Sequence, residues 1–166
     1  LESIRKVIKN RNADILIISA LDEIAWLLNL RGNDVEYNPV VSAYVTVSEQ
    51  ETSLFIDVRK IDKCKSIFDN IMVRPYDEFF KFVSAINDRQ TVWLDPNSAN
   101  SKTVSLFGKN ANLMFGQSPI SLLKAKKNNV EIEGVKRAVV RDAAALTRAF
   151  LWLEKQISLG KKVTEF

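Results

Sequence analysis

Ala13-Asp14-Ile15-Leu16-Ile17-Ile18-Ser19 is a short apolar run with no alternation, bounded on both sides by polar residues. Such a run suits a strand buried on both faces, and a strand of that kind needs a helical layer on either side. Upstream, Ser3–Asn12 carries Ile4, Val7 and Ile8 at helical spacing. Downstream, Leu21–Leu28 reads as a short helix whose first turn holds Asp22 and Glu23, acids that suit a helix N-terminus.

Beyond Arg31-Gly32-Asn33-Asp34, a helix breaker, the chain runs through Tyr37-Asn38-Pro39 as an irregular loop. Val41–Val47 and Thr52–Asp57, separated by Ser48-Glu49-Gln50-Glu51, read as an antiparallel hairpin. Elements then alternate: a helix over 61–70, a strand over 71–74, a helix over 77–86 and a strand over 91–94. Asp95-Pro96-Asn97 reads as a turn, followed by a helix over 102–107 stopped by Gly108 and a strand over 112–115. Ser118-Pro119 opens another helix, with serine as the cap and proline in the first helical position. The expected fold class is α/β: a mixed β-sheet flanked by helices on its faces, plus a long C-terminal helix. That last helix covers 129–157, with Gly134 as a place where it could break. Val135, Val139, Leu146, Phe150, Leu153 and Ile157 form one apolar stripe on it that needs another surface to cover.

The 166 residues are 46% hydrophobic and 27% charged, an ordinary globular composition. No apolar stretch approaches the roughly 20 residues of a bilayer span, so no membrane partner is expected. Positive residues number 24 against 20 negative ones, a mixed surface that gives no reason to expect nucleic acid. The lone Cys64 can form no internal disulfide and reads as a small residue on a helix face. The chain contains no histidine. That removes serine–histidine and cysteine–histidine catalysis, histidine bases and most zinc sites.

Remaining motifs are weak. Ser121-Leu122-Leu123-Lys124 has serine–lysine spacing without companion motifs, and Gly108-Lys109 lacks the rest of a phosphate loop. Asp57 with Arg59 reads as an ion pair or turn, and Asp77 and Asp95 as isolated acids at cap or turn positions. Trp26, Trp93 and Trp152 read as core. The polar cluster from Arg31 to Pro39, with Arg31, Tyr37 and Asn38, is the place where contact with a partner or a cleft is expected.

At this loop the sequence resembles a known family. Ala20-Leu21-Asp22-Glu23-Ile24-Ala25-Trp26-Leu27-Leu28-Asn29-Leu30-Arg31-Gly32, with Asp34-Val35-Glu36 and Asn38-Pro39-Val40, is similar to the middle, creatinase-type domain of three-domain aminopeptidases P (Xaa-Pro aminopeptidases). Gly134-Val135-Lys136-Arg137-Ala138, Arg141-Asp142-Ala143-Ala144-Ala145-Leu146 and Trp152-Leu153-Glu154 resemble the helix that opens the catalytic domain there. The resemblance implies a creatinase/prolidase N-terminal-domain-like unit over 1–127. Over 128–166 it implies a linker helix and the start of a truncated metallopeptidase domain of the pita-bread fold.

It further implies that two divalent metals, usually manganese, sit in that catalytic domain on two aspartates, a histidine and two glutamates. The substrates implied are peptides with proline in the second position, and the setting is a cytoplasmic homo-oligomer. No position here matches those ligands, so no catalytic residue, metal ligand or cofactor is assigned to this chain, and it is expected to be inactive alone. Arg59 follows a strand as a substrate-side arginine does in the family's first domain, but a sister domain does not carry that role over. The alternative is a domain of a protein-binding module built on an inactive pita-bread fold.

Overall fold

The computed structural model describes residues 1–61, 68–108 and 111–164. In chain order these form α1 (Glu2–Asn10), β1 (Ile15–Ile18), α2 (Leu21–Leu27), β2 (Ala43–Ser48), β3 (Thr52–Ile56) and β4 (Met72–Pro75). Then follow α3 (Glu78–Ser84), β5 (Thr91–Leu94), α4 (Ser101–Ser105), β6 (Asn112–Phe115), α5 (Pro119–Ala125) and α6 (Asn129–Ser158). The strands make one sheet in the order β4-β3-β2-β1-β5-β6.

Strand β1 lies inside the sheet, antiparallel to β2 and parallel to β5. The pairs β3–β4 and β5–β6 are parallel, and β2–β3 is the expected antiparallel hairpin. Five strands therefore run one way and only β2 opposes them. The carboxyl ends of β1, β3, β4, β5 and β6 meet along one edge of the sheet, and the loop before β2 arrives at the same edge.

The unbroken aliphatic run of β1 is explained by its neighbours. Leu16 and Ile18 pack with Ile4 and Ile8 of α1, Ile24 of α2 and Ile120 of α5. Ile15 and Ile17, on the opposite face, pack with Phe79 and Val83 of α3, with Phe55 and with Leu94. All four β1 residues are buried. Around Phe79 the second core is aromatic: Tyr44 stacks on it with ring centroids 3.8 Å apart, and Phe55 meets it edge-on at 5.4 Å.

Helix ends follow a pattern that propensity alone does not reveal. Past α1 and α2, Asn12 (φ 53°) and Asn29 (φ 49°) take the left-handed conformation. The Ala13 amide donates to the Ile8 carbonyl and the Leu30 amide to the Ala25 carbonyl, each at 3.1 Å. These bonds close each helix in a Schellman motif, with asparagine where glycine is usual.

Residues 1–125 and 126–166 are separate compact units. In the second, α6 begins with a capping box: Asn128 accepts from the Glu131 amide and Glu131 accepts from the Asn128 amide. The helix continues through Gly134 without the break considered above. Val135, Val139, Leu146, Phe150 and Ile157 are each more than half exposed. Trp152, read from sequence as core, is 55% exposed because it shares this uncovered helix. The helix expected over 61–70, with Cys64, falls mostly outside the described residues. Before it, the chain makes a 3-10 turn at Val58–Lys60.

Replacing Phe79 with alanine empties the centre of the aromatic core. Phe79→Ala is expected to lower unfolding stability by about 3–5 kcal/mol, read from the urea midpoint at unchanged slope. A loss below about 1 kcal/mol would show that the site collapses around the deletion.

Candidate functional site

The loop from Arg31 to Ser42 lies at the edge where the carboxyl ends gather, and its geometry is held by four devices. Gly32 is the first: a Cβ there would stand 2.2 Å from Val41 Cγ1, so only glycine lets the loop fold back onto the buried Val41. Arg31 is the second, its Nη1 donating to the carbonyls of Ala25 and Leu30. A guanidinium on the Ala25 carbonyl, in the last turn of α2, complements the helix dipole.

Asp34 is the third device. Its Oδ2 accepts from the Ser42 amide at 2.7 Å and from Lys60 Nζ at 2.5 Å, which ties the loop to the segment after β3. The Lys60 ammonium and then the Ser42 amide hold its carboxyl below the ordinary carboxylate range. The fourth is a tight turn over 35–38, in which the Asn38 amide donates to the Val35 carbonyl at 3.1 Å. Tyr37 occupies its third position with φ 61°, a conformation that costs a side-chain-bearing residue about 1 kcal/mol. The residue is 97% exposed.

The structure thus gives the three sequence-selected residues different places. Arg31 spends its guanidinium on α2, Asn38 closes the turn through its backbone, and Tyr37 presents its whole side chain to solvent from a strained backbone.

Beside the loop, Asp57 and Arg59 form the expected ion pair, at 2.6 Å. Hydrogen bonds from Arg59 lower the Asp57 pKa to about 2. With Ser42, Ile56, Tyr76 and Asp77, Asp57 lines a concavity of about 370 Å³. Behind it, Tyr44 accepts from Asn100 at 3.0 Å, and burial in the aromatic stack pushes its phenol up to about 12.

A second polar cluster on this edge was not legible as one. Asp95, read as an isolated turn acid, is only 8% exposed and accepts from the amides of Asn97 and Ser118. Ser118 Oγ donates to Glu23 at 2.6 Å, and Glu23 is also buried. Ninety-odd residues of sequence separate Glu23 from Ser118, so only the fold unites them. Burial raises the Glu23 pKa, and the neighbouring acids Asp22 and Asp95 add to this. Ser121 donates to the Ser118 carbonyl and Lys124 to Asp22, so the serine–lysine spacing serves local anchoring. Among the described residues no group of three or more His, Cys, Asp or Glu side chains could hold a metal ion. The residues present therefore do not fit the two metals that the family resemblance implies.

The family described as Creatinase/Prolidase N-terminal domain matches residues 1–131. Xaa-Pro aminopeptidase 1 of Dictyostelium discoideum is 42% identical over 163 residues, covering 95% of this chain and 25% of that protein. A Drosophila melanogaster Xaa-Pro aminopeptidase is 40% identical over 171 residues, covering 98% and 27%. Among solved structures, the X-prolyl aminopeptidase of Caenorhabditis elegans, described as a cytosolic enzyme with a di-nuclear active site, superposes with a TM-score of 0.85. It is 34% identical, over 99% of this chain and 28% of that one. The Pyrococcus horikoshii prolidase shares the fold at a TM-score of 0.62 and 16% identity, over 87% of this chain and 40% of that one. The chain spans about a quarter of the length of the curated relatives it matches.

Gly32→Ala is expected to destabilise by about 1–3 kcal/mol, as other overpacking changes do. It should also accelerate exchange of the Asp34 amide, whose hydrogen bond to the Val40 carbonyl closes the loop. An unchanged exchange pattern would mean that Val41 simply rotates away.

For Glu23, the raised pKa means that the folded state binds this proton more tightly than the unfolded chain. Stability therefore falls as pH climbs from the ordinary carboxylate range through the raised value, and it stays lower above it. Glu23→Gln keeps an acceptor for Ser118, so the variant should gain stability over the parent as pH rises, in thermal melts between acid and neutral pH. A constant difference between the two proteins would remove this assignment.

Proposed function

The chain belongs to the creatinase/prolidase N-terminal domain family, and from that premise we propose that it is the non-catalytic middle domain of a longer, metal-dependent Xaa-Pro aminopeptidase. The observation that carries this reading is similarity to Xaa-Pro aminopeptidases over 95% or more of the chain, set against the quarter of their length that it spans. In that protein the two metals, manganese by the family resemblance, and the hydrolytic groups lie outside these residues. The absence of histidine from the sequence supports this placement.

Residues 1–127 are the creatinase-type unit, and 128–166 are a linker helix and the opening of a pita-bread domain. The work of the chain is positional: it holds the neighbouring domain and borders the approach to the cleft. Tyr37 is the side chain offered for contact, with Arg31 and the turn at Asn38 holding the loop that carries it. The uncovered stripe of α6 supports burial against the rest of the longer protein or within a cytoplasmic homo-oligomer.

Hydrolysis of an Xaa-Pro-Pro peptide with added manganese, by this chain and by the longer protein in parallel, tests the reading. The expected result is activity in the longer protein only. Hydrolysis by the 166-residue chain would overturn the non-catalytic assignment. Silence in both would favour a protein-binding module instead.

A further inference from the structure

The concavity at the carboxyl ends of β3 and β4 has no part in the reading above. Its volume, about 370 Å³, is in the range of small-ligand sites. Ile56, Val58, Pro75 and Tyr76 supply its apolar walls. Val58 and Tyr76 remain 37% and 40% exposed.

The charges around it divide sharply. Lys60 is held by Asp34, and Asp57 is gripped by Arg59 through two nitrogens. Asp77 stands at the N-cap position of α3 without capping it, and its carboxylate makes no hydrogen bond or ion pair among the described residues. Among the described lining residues the one charge left for a ligand is therefore negative, and it stands next in sequence to an aromatic ring that also lines the concavity. A carboxylate and a ring face both attract a cation, and the aliphatic walls suit an apolar body attached to it.

We propose that this concavity binds the free amino terminus of a short peptide whose first side chain is apolar, with the ammonium on Asp77 and the side chain against Val58 and Pro75. Among the described residues no group of three or more metal-ligating side chains lies there, and the role assigned is to hold the peptide without cleaving it. The proposal does not depend on the hydrolytic reading, because it concerns binding to this chain alone.

Titration of the 166-residue chain with leucinamide, followed by backbone amide shifts, tests it. Saturable shifts are expected at Val58, Tyr76 and Asp77. N-acetyl-leucinamide, which lacks the charge, should bind more weakly by about threefold or more, the scale of an exposed ion pair. Asp77→Asn should produce a similar loss with leucinamide at an unchanged melting temperature, since Asp77 is exposed. Equal binding of the acetylated compound, equal binding by Asp77→Asn, or no saturable shift at these residues would overturn the proposal.

Discussion

Burial of β1 on both faces is the constraint from which the rest of the first unit follows. Four consecutive aliphatic side chains point alternately to the two sides of a sheet, so both sides need an apolar cover. Helices α1, α2 and α5 supply one cover and α3 the other. Because β1 pairs parallel to β5 and antiparallel to β2, the same burial sets the polarity of the sheet. The carboxyl ends of five strands then lie together, and the loop between α2 and β2 is delivered to that edge. A polar substitution at Leu16 would disturb the α1 face and a polar substitution at Ile17 the α3 face, yet either would loosen the same strand.

That edge holds the most developed polar chemistry described, and most of it is turned inward. Asp34 holds Lys60 and a backbone amide, Asp57 holds Arg59, and the buried pair Glu23 and Asp95 closes on Ser118. Charges so occupied stabilise loops, and they leave little free for proton transfer or metal binding. Tyr37, held out from a left-handed backbone, and Asp77 beside its apolar concavity are not occupied in this way. Both suit recognition. This division between a self-satisfied scaffold and a few presented groups is compatible with the proposed positional role of a chain that spans about a quarter of the length of its Xaa-Pro aminopeptidase relatives.

Helix α6 follows a different logic. Its start is specified locally by the Asn128–Glu131 capping box, and its end by Gly160 at φ 68°, where the Lys161 amide reaches the Gln156 carbonyl. With both ends capped and thirty residues between them, one internal glycine is not enough to break it, because an isolated glycine costs only about 1 kcal/mol. Caps make the helix, but they do not decide what covers its apolar stripe.

Elements whose signal is local could be read directly from the chain. The aliphatic run of β1, the hairpin spacing of β2 and β3, the Ser118-Pro119 start of α5 and the stripe of α6 each lie within one short window of chain, as does the Asp57–Arg59 pair two residues apart. The family resemblance was legible for the same reason, since Ala20–Gly32 is one continuous run. Tertiary structure alone decided the contacts between distant segments. It buried Asp95 against the Ser118 amide, brought Glu23 to the Ser118 hydroxyl, and left Asp77, beside Tyr76, without a partner among the described residues. It also gave Gly32 its purpose, through a Val41 side chain that occupies the space a Cβ would need. Local periodicity reports which face of an element is apolar. Which polar groups share a space depends on how the sheet is ordered, and one strand's pattern carries no record of that.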